Sequence, residues 1–198
     1  MSQEQEKHKL STRIWRTKGA RFNAYRRLSK KNSALTFITS FSSIHLLALG
    51  ILQLSGIVSI SPDQAKLLNF IGMTVSLIIL AYSLIEGGKE YGLKSERHHL
   101  CGIELDNCYS QLQFKNEQSD IEALASRYNA ITKKYLLNHD TIDDEYFRLQ
   151  HQDDFACMKN SSWLNKAAVN FKYKHYDRFK AFIFASVPLS VSIYIIWF

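Results

Sequence analysis

Three kinds of residue in this 198-residue sequence could do chemistry: the group His98-His99-x-Cys101 with Cys108, the acidic run Asp140, Asp143, Asp144 and Glu145, and polar residues set inside long apolar runs. Imidazole and thiolate bind zinc, but structural zinc needs ligands in close pairs, and no CxxC pair or other zinc spacing occurs here. Cys101 and Cys108 stand two turns apart on one helix face, too far for a bridge within that helix, and suit small apolar packing. The acidic run fails as a calcium loop, because its third position is Ile142 and its sixth is not glycine. There is no glycine-rich phosphate loop, no GxSxG and no HExxH. Asp153 and Asp154 extend the acidity, which reads as a solvated face. It could also dock a basic partner or the chain's own N-terminal segment. No catalytic residue, metal or cofactor is expected.

The polar residues of the apolar runs are more telling. On a helical wheel Ser42, His45, Gln53 and Gly56 lie within about 80° of one another, with Leu49 in the same arc. In hydrocarbon such groups are costly and turn toward protein or water. Ser42, His45 and Gln53 are therefore candidates to line a water-filled path in an assembly, or to hydrogen-bond between helices. Asn69, Gly72, Ser76, Ser83 and Gly87 share a narrower arc of about 60°. Gly72-x-x-x-Ser76 is the spacing that lets two backbones approach closely, so Gly72, Ser76 and Ser83 are expected to pack helices. Glu86 ends this run, at the mouth of a path or simply in water.

The elements that carry these residues follow from where the charges are missing. The chain has 25 Lys plus Arg against 18 Asp plus Glu, a net charge of +7, yet residues 34–60, 67–85 and 181–198 contain no charged side chain. About 20 apolar residues span the roughly 30 Å of bilayer hydrocarbon. The sequence thus predicts an all-α integral membrane protein and excludes a compact soluble enzyme as the default. Residues 34–60 and 67–85 form a transmembrane hairpin across the turn 61–66, where Pro62 breaks the helix. A third span at 181–198 carries Pro188 as a kink and Trp197 at the interface. The first run is too long and starts too late to be a signal peptide. Residues 1–33 hold ten basic groups against Glu4 and Glu6. The positive-inside rule therefore puts the N-terminus and residues 86–180 in the cytoplasm and the C-terminus outside. All three cysteines fall on the cytoplasmic side, where disulfides are rare.

Four segments result: a basic N-terminal helix (1–33), the hairpin (34–85), a cytoplasmic helical domain (86–180) and the third span (181–198). In the first, Leu10, Ile14, Trp15, Phe22, Tyr25 and Leu28 cluster on one side. This predicts an interfacial helix, with Arg13, Arg16, Arg27, Lys30 and Lys31 at lipid headgroups. A basic flank beside a span is already explained by topology, so direct nucleic-acid binding is disfavoured. In the third segment Cys101, Leu105, Cys108 and Leu112 recur at threes and fours from Glu90 to Phe114. Ile121, Leu124, Tyr128, Ile131 and Tyr135 do the same behind a capping box, Ser119 to Glu122. Such seams pair helices within a chain or between copies. A shorter helix is predicted over Thr141–Gln150, with Tyr146, Phe147 and Leu149 apolar, and one more over 152–180.

A basic segment TKGARFNAYRRL (17–28) before a transmembrane hairpin, and NHDTIDDEYF (138–147) in a helical region after it, resemble the SLATT family. That name stands for SMODS and SLOG-associating two-transmembrane effector domains, and the pattern is most similar to the fifth subfamily. The resemblance rests on Trp15, Lys18, Arg21, Arg27 and Leu28, and on Asn138-His139 with Ile142-Asp143. The third span goes beyond the two in the family's name. What the resemblance implies is an effector of a bacterial anti-phage conflict system. Such an effector oligomerises and permeabilises the inner membrane when a partner senses infection. The partners implied are a neighbouring nucleotidyltransferase, a SLOG-type sensor or a reverse transcriptase. A non-enzymatic scaffold that anchors a cytoplasmic enzyme or nucleoprotein to the lipid bilayer is the alternative.

Overall fold

A computed structural model describes residues 3–56, 61–114 and 117–180, together with 182, 183, 186, 190 and 193. Every element among the described residues is helical: α1 (Gln3–Ser55), α2 (Pro62–Gly87), α3 (Tyr91–Phe114), α4 (Gln118–Tyr135), α5 (Thr141–Gln150), α6 (Ala156–Lys159) and α7 (Trp163–Lys174). Most of the expected third span, including Pro188 and Trp197, lies outside the described residues. The chain divides into two compact units. One comprises the chain up to Lys30 with Tyr91–His175, and the other Lys31–Glu90 with the chain from Tyr176 onward.

The first unit is built on the two predicted seams. Cys101, Leu105, Cys108 and Leu112 of α3 are fully buried against Ile121, Leu124, Tyr128 and Ile131 of α4, and Ile14 of α1 completes the same cluster. Each fully buried Leu or Ile contributes about 1.5–3 kcal/mol. All three cysteines are free thiols, with Cys101 and Cys108 in this core and Cys157 exposed. Ile142 and Tyr146 of α5 form a second cluster with Tyr173 of α7, where the two tyrosine rings stack at 3.8 Å. The α5 range matches its prediction. Segment 152–180 is instead divided between α6 and α7, because Asn160 and Ser161 interrupt it and Ser162 caps α7 by accepting from the Asn165 N–H.

The apolar stripe of the N-terminal helix is spent on protein rather than lipid, which corrects the interfacial reading. Ile14 and Leu28 are buried, Trp15 meets Phe147 edge-on at 4.9 Å and stacks on Phe155, and Tyr25 stacks on His99. Gly19 has a physical reason to lack a side chain: a Cβ there would lie 2.0 Å from the Phe147 ring. At Gly102 it would meet Phe22 at 2.9 Å.

In the second unit α2 begins earlier than the sequence suggests, at Pro62. Pro62 does not break a helix; it opens α2 at the position where a missing N–H costs nothing. Ser61 accepts from the Gln64 N–H, and the Gln64 side chain accepts from the Ser61 N–H. Capping boxes therefore sit here and at Asp140 with Asp143, and not at Ser119, which lies inside α4 behind its N-cap Glu117. The apolar part of α1 and all of α2 keep large side chains exposed, among them Phe37, Ile44, Leu47, Ile51, Phe70, Met73, Leu77 and Leu84. Both helices are long and apolar enough to cross a bilayer. An exposed apolar surface of this extent marks a site for something other than water.

Candidate functional site

Two polar constellations stand out, one in each unit. In the hairpin unit a cleft of about 210 Å³ runs between α1 and α2. Gln53 lines it together with Gly50, Asn69, Gly72 and Ser76, and its side-chain N–H donates to the Ala65 carbonyl at 3.4 Å. The three candidate lining residues are thus not brought together. Ser42 is 1% exposed, with its hydroxyl buried and without a partner, while His45 is half-buried away from this cleft's lining. Of the packing candidates, Ser76 bonds back to the Gly72 carbonyl at 2.7 Å and Ser83 is half-buried. A Cβ at Gly72 would find no atom within 4 Å among the described residues, so the chain does not close on that glycine itself.

The folded unit holds the denser constellation, and it assembles from the motif residues. Arg16, Gly19, Asn23 and Arg27 recur at threes and fours, so they form one stripe of α1, and α5 lies against it. Arg27 donates through Nε and Nη2 to the two oxygens of Asp143 at 2.8 and 2.9 Å, and through Nη2 to Asp140 at 2.5 Å. Arg16 makes the same two-bonded fork to Asp144, with both bonds at 2.6 Å. Asp143 is wholly buried and Asp144 nearly so, so the solvated-face reading fails for these two and the docking of the chain's own N-terminal segment takes its place. Planar guanidinium and carboxylate match in this geometry, which makes it one of the stronger polar pairings. The Asn23 side chain donates to the Asp143 carbonyl and to Gln150, and the Tyr173 hydroxyl donates to the Asn23 carbonyl at 2.9 Å. Asp143 also accepts from the Asp140 N–H, which fixes the first turn of α5.

Beside these forks sits a cation without an acid. Arg21 is 4% exposed, its Nη1 lies 3.2 Å from His98 Nδ1, and its Nε is buried with no partner. Among the described residues no carboxylate lies within ion-pair distance of it. Burial, reinforced by Arg21, pulls His98 down to about 4, so the ring is neutral and accepts from the guanidinium. Burial and Arg21 also lower His139, whose Nδ1 is buried without a partner. The Arg16 fork holds Asp144 below the usual carboxylate range against the opposing effect of burial.

Of the five expected headgroup residues, Arg16 and Arg27 are therefore committed to α5. Arg13 lies 4.9 Å over the Tyr128 ring, Lys31 is 3.7 Å from Asp177, and Lys30 is exposed. Asn23 and Tyr173 are not singled out by the sequence, His98 is weighed there only as a metal ligand, and Arg21 enters only through the resemblance. The recurrence of Arg16, Gly19, Asn23 and Arg27 at threes and fours is the signal that could have marked the polar stripe. No group of His, Cys, Asp and Glu with metal-binding geometry occurs among the described residues.

An apolar helical hairpin joined in sequence to a separately packed helical unit defines a class: a helical protein whose two long helices fit a membrane location. A family model matches residues 3–196, nearly the whole chain. The chain belongs to the SMODS and SLOG-associating 2TM effector domain family 5. No curated protein and no solved structure matches it.

Proposed function

We propose that the chain is a membrane effector of a bacterial anti-phage system, which oligomerises in the inner membrane and permeabilises it when triggered. The observation that carries this reading is the hairpin itself. Its two apolar helices expose large side chains outward yet keep Gln53, Asn69 and Ser76 at the cleft between them. Self-association would turn such polar groups toward one another or toward water, since lipid cannot satisfy them. Ser42, His45 and Gln53 line the path in this reading, and Gly72, Ser76 and Ser83 face a neighbouring copy. The N-terminus is cytoplasmic, with exposed Lys30 at the lipid headgroups, and the C-terminus is outside. The folded unit holds the off state and receives the partner's signal, from a neighbouring nucleotidyltransferase, SLOG-type sensor or reverse transcriptase. No catalytic step is required.

Membrane potential and dye uptake in cells producing the wild-type chain test this. Permeabilisation appears as rapid depolarisation, on production of the chain alone or once its partner is triggered. Gln53→Leu and His45→Leu lower leakage at unchanged membrane levels. Silence under both conditions, at confirmed membrane levels, would favour the scaffold alternative, in which the hairpin only anchors a cytoplasmic partner.

A further inference from the structure

We propose that the folded unit contains a binding pocket for a phosphate-bearing anion, formed where the first turns of α1 face Tyr128 of α4 and His139 before α5. The pocket has a volume of about 570 Å³, within the range of small-molecule sites. Lys9, Arg13 and Arg16 line it against the single carboxylate of Asp144, so its fixed charge is positive even with the Arg16 fork intact. Arg13 is held over the Tyr128 ring, and Thr17 shares a hydrogen bond with the Tyr128 hydroxyl at 3.0 Å, which fixes that wall.

A solvated basic surface would explain three cations, but it does not explain the buried imidazole. His139 lines the pocket with a buried Nδ1 that has no partner. A buried ring nitrogen left without a partner beside a positively charged wall is costly, and an anion that accepts from it offsets that cost. Phosphate suits this set: its several oxygens accept from guanidinium, ammonium and imidazole donors at once. The phosphate could belong to a free solute or to a lipid headgroup, and the two sources separate experimentally.

The test uses the purified full chain at physiological ionic strength, with melting temperature and Trp fluorescence as readouts. Trp15 stacks on Phe155, which lines the pocket, so occupancy has an intrinsic reporter. One arm titrates inorganic pyrophosphate into the chain in phosphatidylcholine nanodiscs, and the other compares phosphatidylglycerol with phosphatidylcholine nanodiscs without added phosphate. Saturable stabilisation in the first arm identifies a free solute, and in the second a headgroup. Lys9→Gln with Arg13→Gln weakens the effective probe by about tenfold or more, measured as the shift from each variant's own ligand-free melting temperature. The control pair Lys133→Gln with Lys172→Gln removes equal charge from exposed positions outside the pocket and leaves binding intact. No saturable response to either probe, or equal weakening by the control pair, overturns the proposal. None of these readouts depends on whether the hairpin permeabilises membranes.

Discussion

Arg27 and Asp143, 116 residues apart in the chain, meet through two parallel hydrogen bonds of 2.8 and 2.9 Å, and the carboxylate is wholly buried. Breaking one side of such a pair strands a charge in the interior, at a cost of about 3–5 kcal/mol. Arg27→Gln should therefore destabilise the folded unit by that amount, and hydrogen exchange over 138–150 should accelerate. The pair Arg27→Met with Asp143→Leu should recover a large part of the loss, because no lone charge remains. If Arg27→Gln melts within about 0.5 kcal/mol of wild type, the fork is a surface pair and this account of it is wrong.

Two glycines should respond in opposite ways. At Gly19 an added methyl would lie 2.0 Å from the Phe147 ring, while at Gly72 nothing stands within 4 Å. Gly19→Ala forces α1 off α5, an overpacking cost of about 1–3 kcal/mol or more. Gly72→Ala leaves the stability of the single chain unchanged and weakens self-association if a neighbouring copy uses that face. Thermal unfolding and size analysis in detergent separate the two effects.

Leu136 closes α4 in the left-handed region, with φ of 47°, while its side chain is 89% exposed. An L-residue with a Cβ is disfavoured there by roughly 1–2 kcal/mol, and this one buries almost nothing in return. Leu136→Gly should raise the stability of the folded unit by about 1 kcal/mol. A drop in melting temperature would mean that the side chain makes an apolar contact elsewhere.

Acid should loosen the folded unit. Burial holds His98 neutral down to about pH 4, whereas in the unfolded chain it titrates near its ordinary 6.5. Between those values the unfolded state binds more protons, so the stability is full above about pH 6.5 and is lost as the pH falls toward 4, on the order of 3 kcal/mol for this group. The lowered His139 acts in the same direction. His98→Gln keeps an acceptor for Arg21 and should flatten the profile of chemical denaturation between pH 7 and 4. An unchanged slope would place the acid sensitivity on other groups.

Much of the scaffold is legible in the order of residues, since it rests on local periodicity. Cys101, Leu105, Cys108 and Leu112 against Ile121, Leu124, Tyr128 and Ile131 identify the α3–α4 seam, and Asp140 with Thr141 marks where α5 starts. Capping is less legible. Ser119-x-x-Glu122 and Ser61-x-x-Gln64 satisfy the same pattern, yet only the second caps, because the α4 helix starts one residue before Ser119. The basic N-terminal helix misleads for a related reason. Its amphipathic stripe reports that one side is buried, but not whether protein or lipid covers it.

From the sequence alone come the two long apolar helices, the all-helical composition and the helix seams, because hydrophobic burial follows the 3.6-residue period of a helix and acts between near neighbours in the chain. Only the tertiary structure decides that Arg16 and Arg27 bind Asp144 and Asp143, that Gly19 seats Phe147, and that Arg21 is buried beside His98 with no acid. Those pairings join residues 77 to 128 positions apart. A charge carries no directional pattern in sequence, and its partner is set by which helix faces packing brings together.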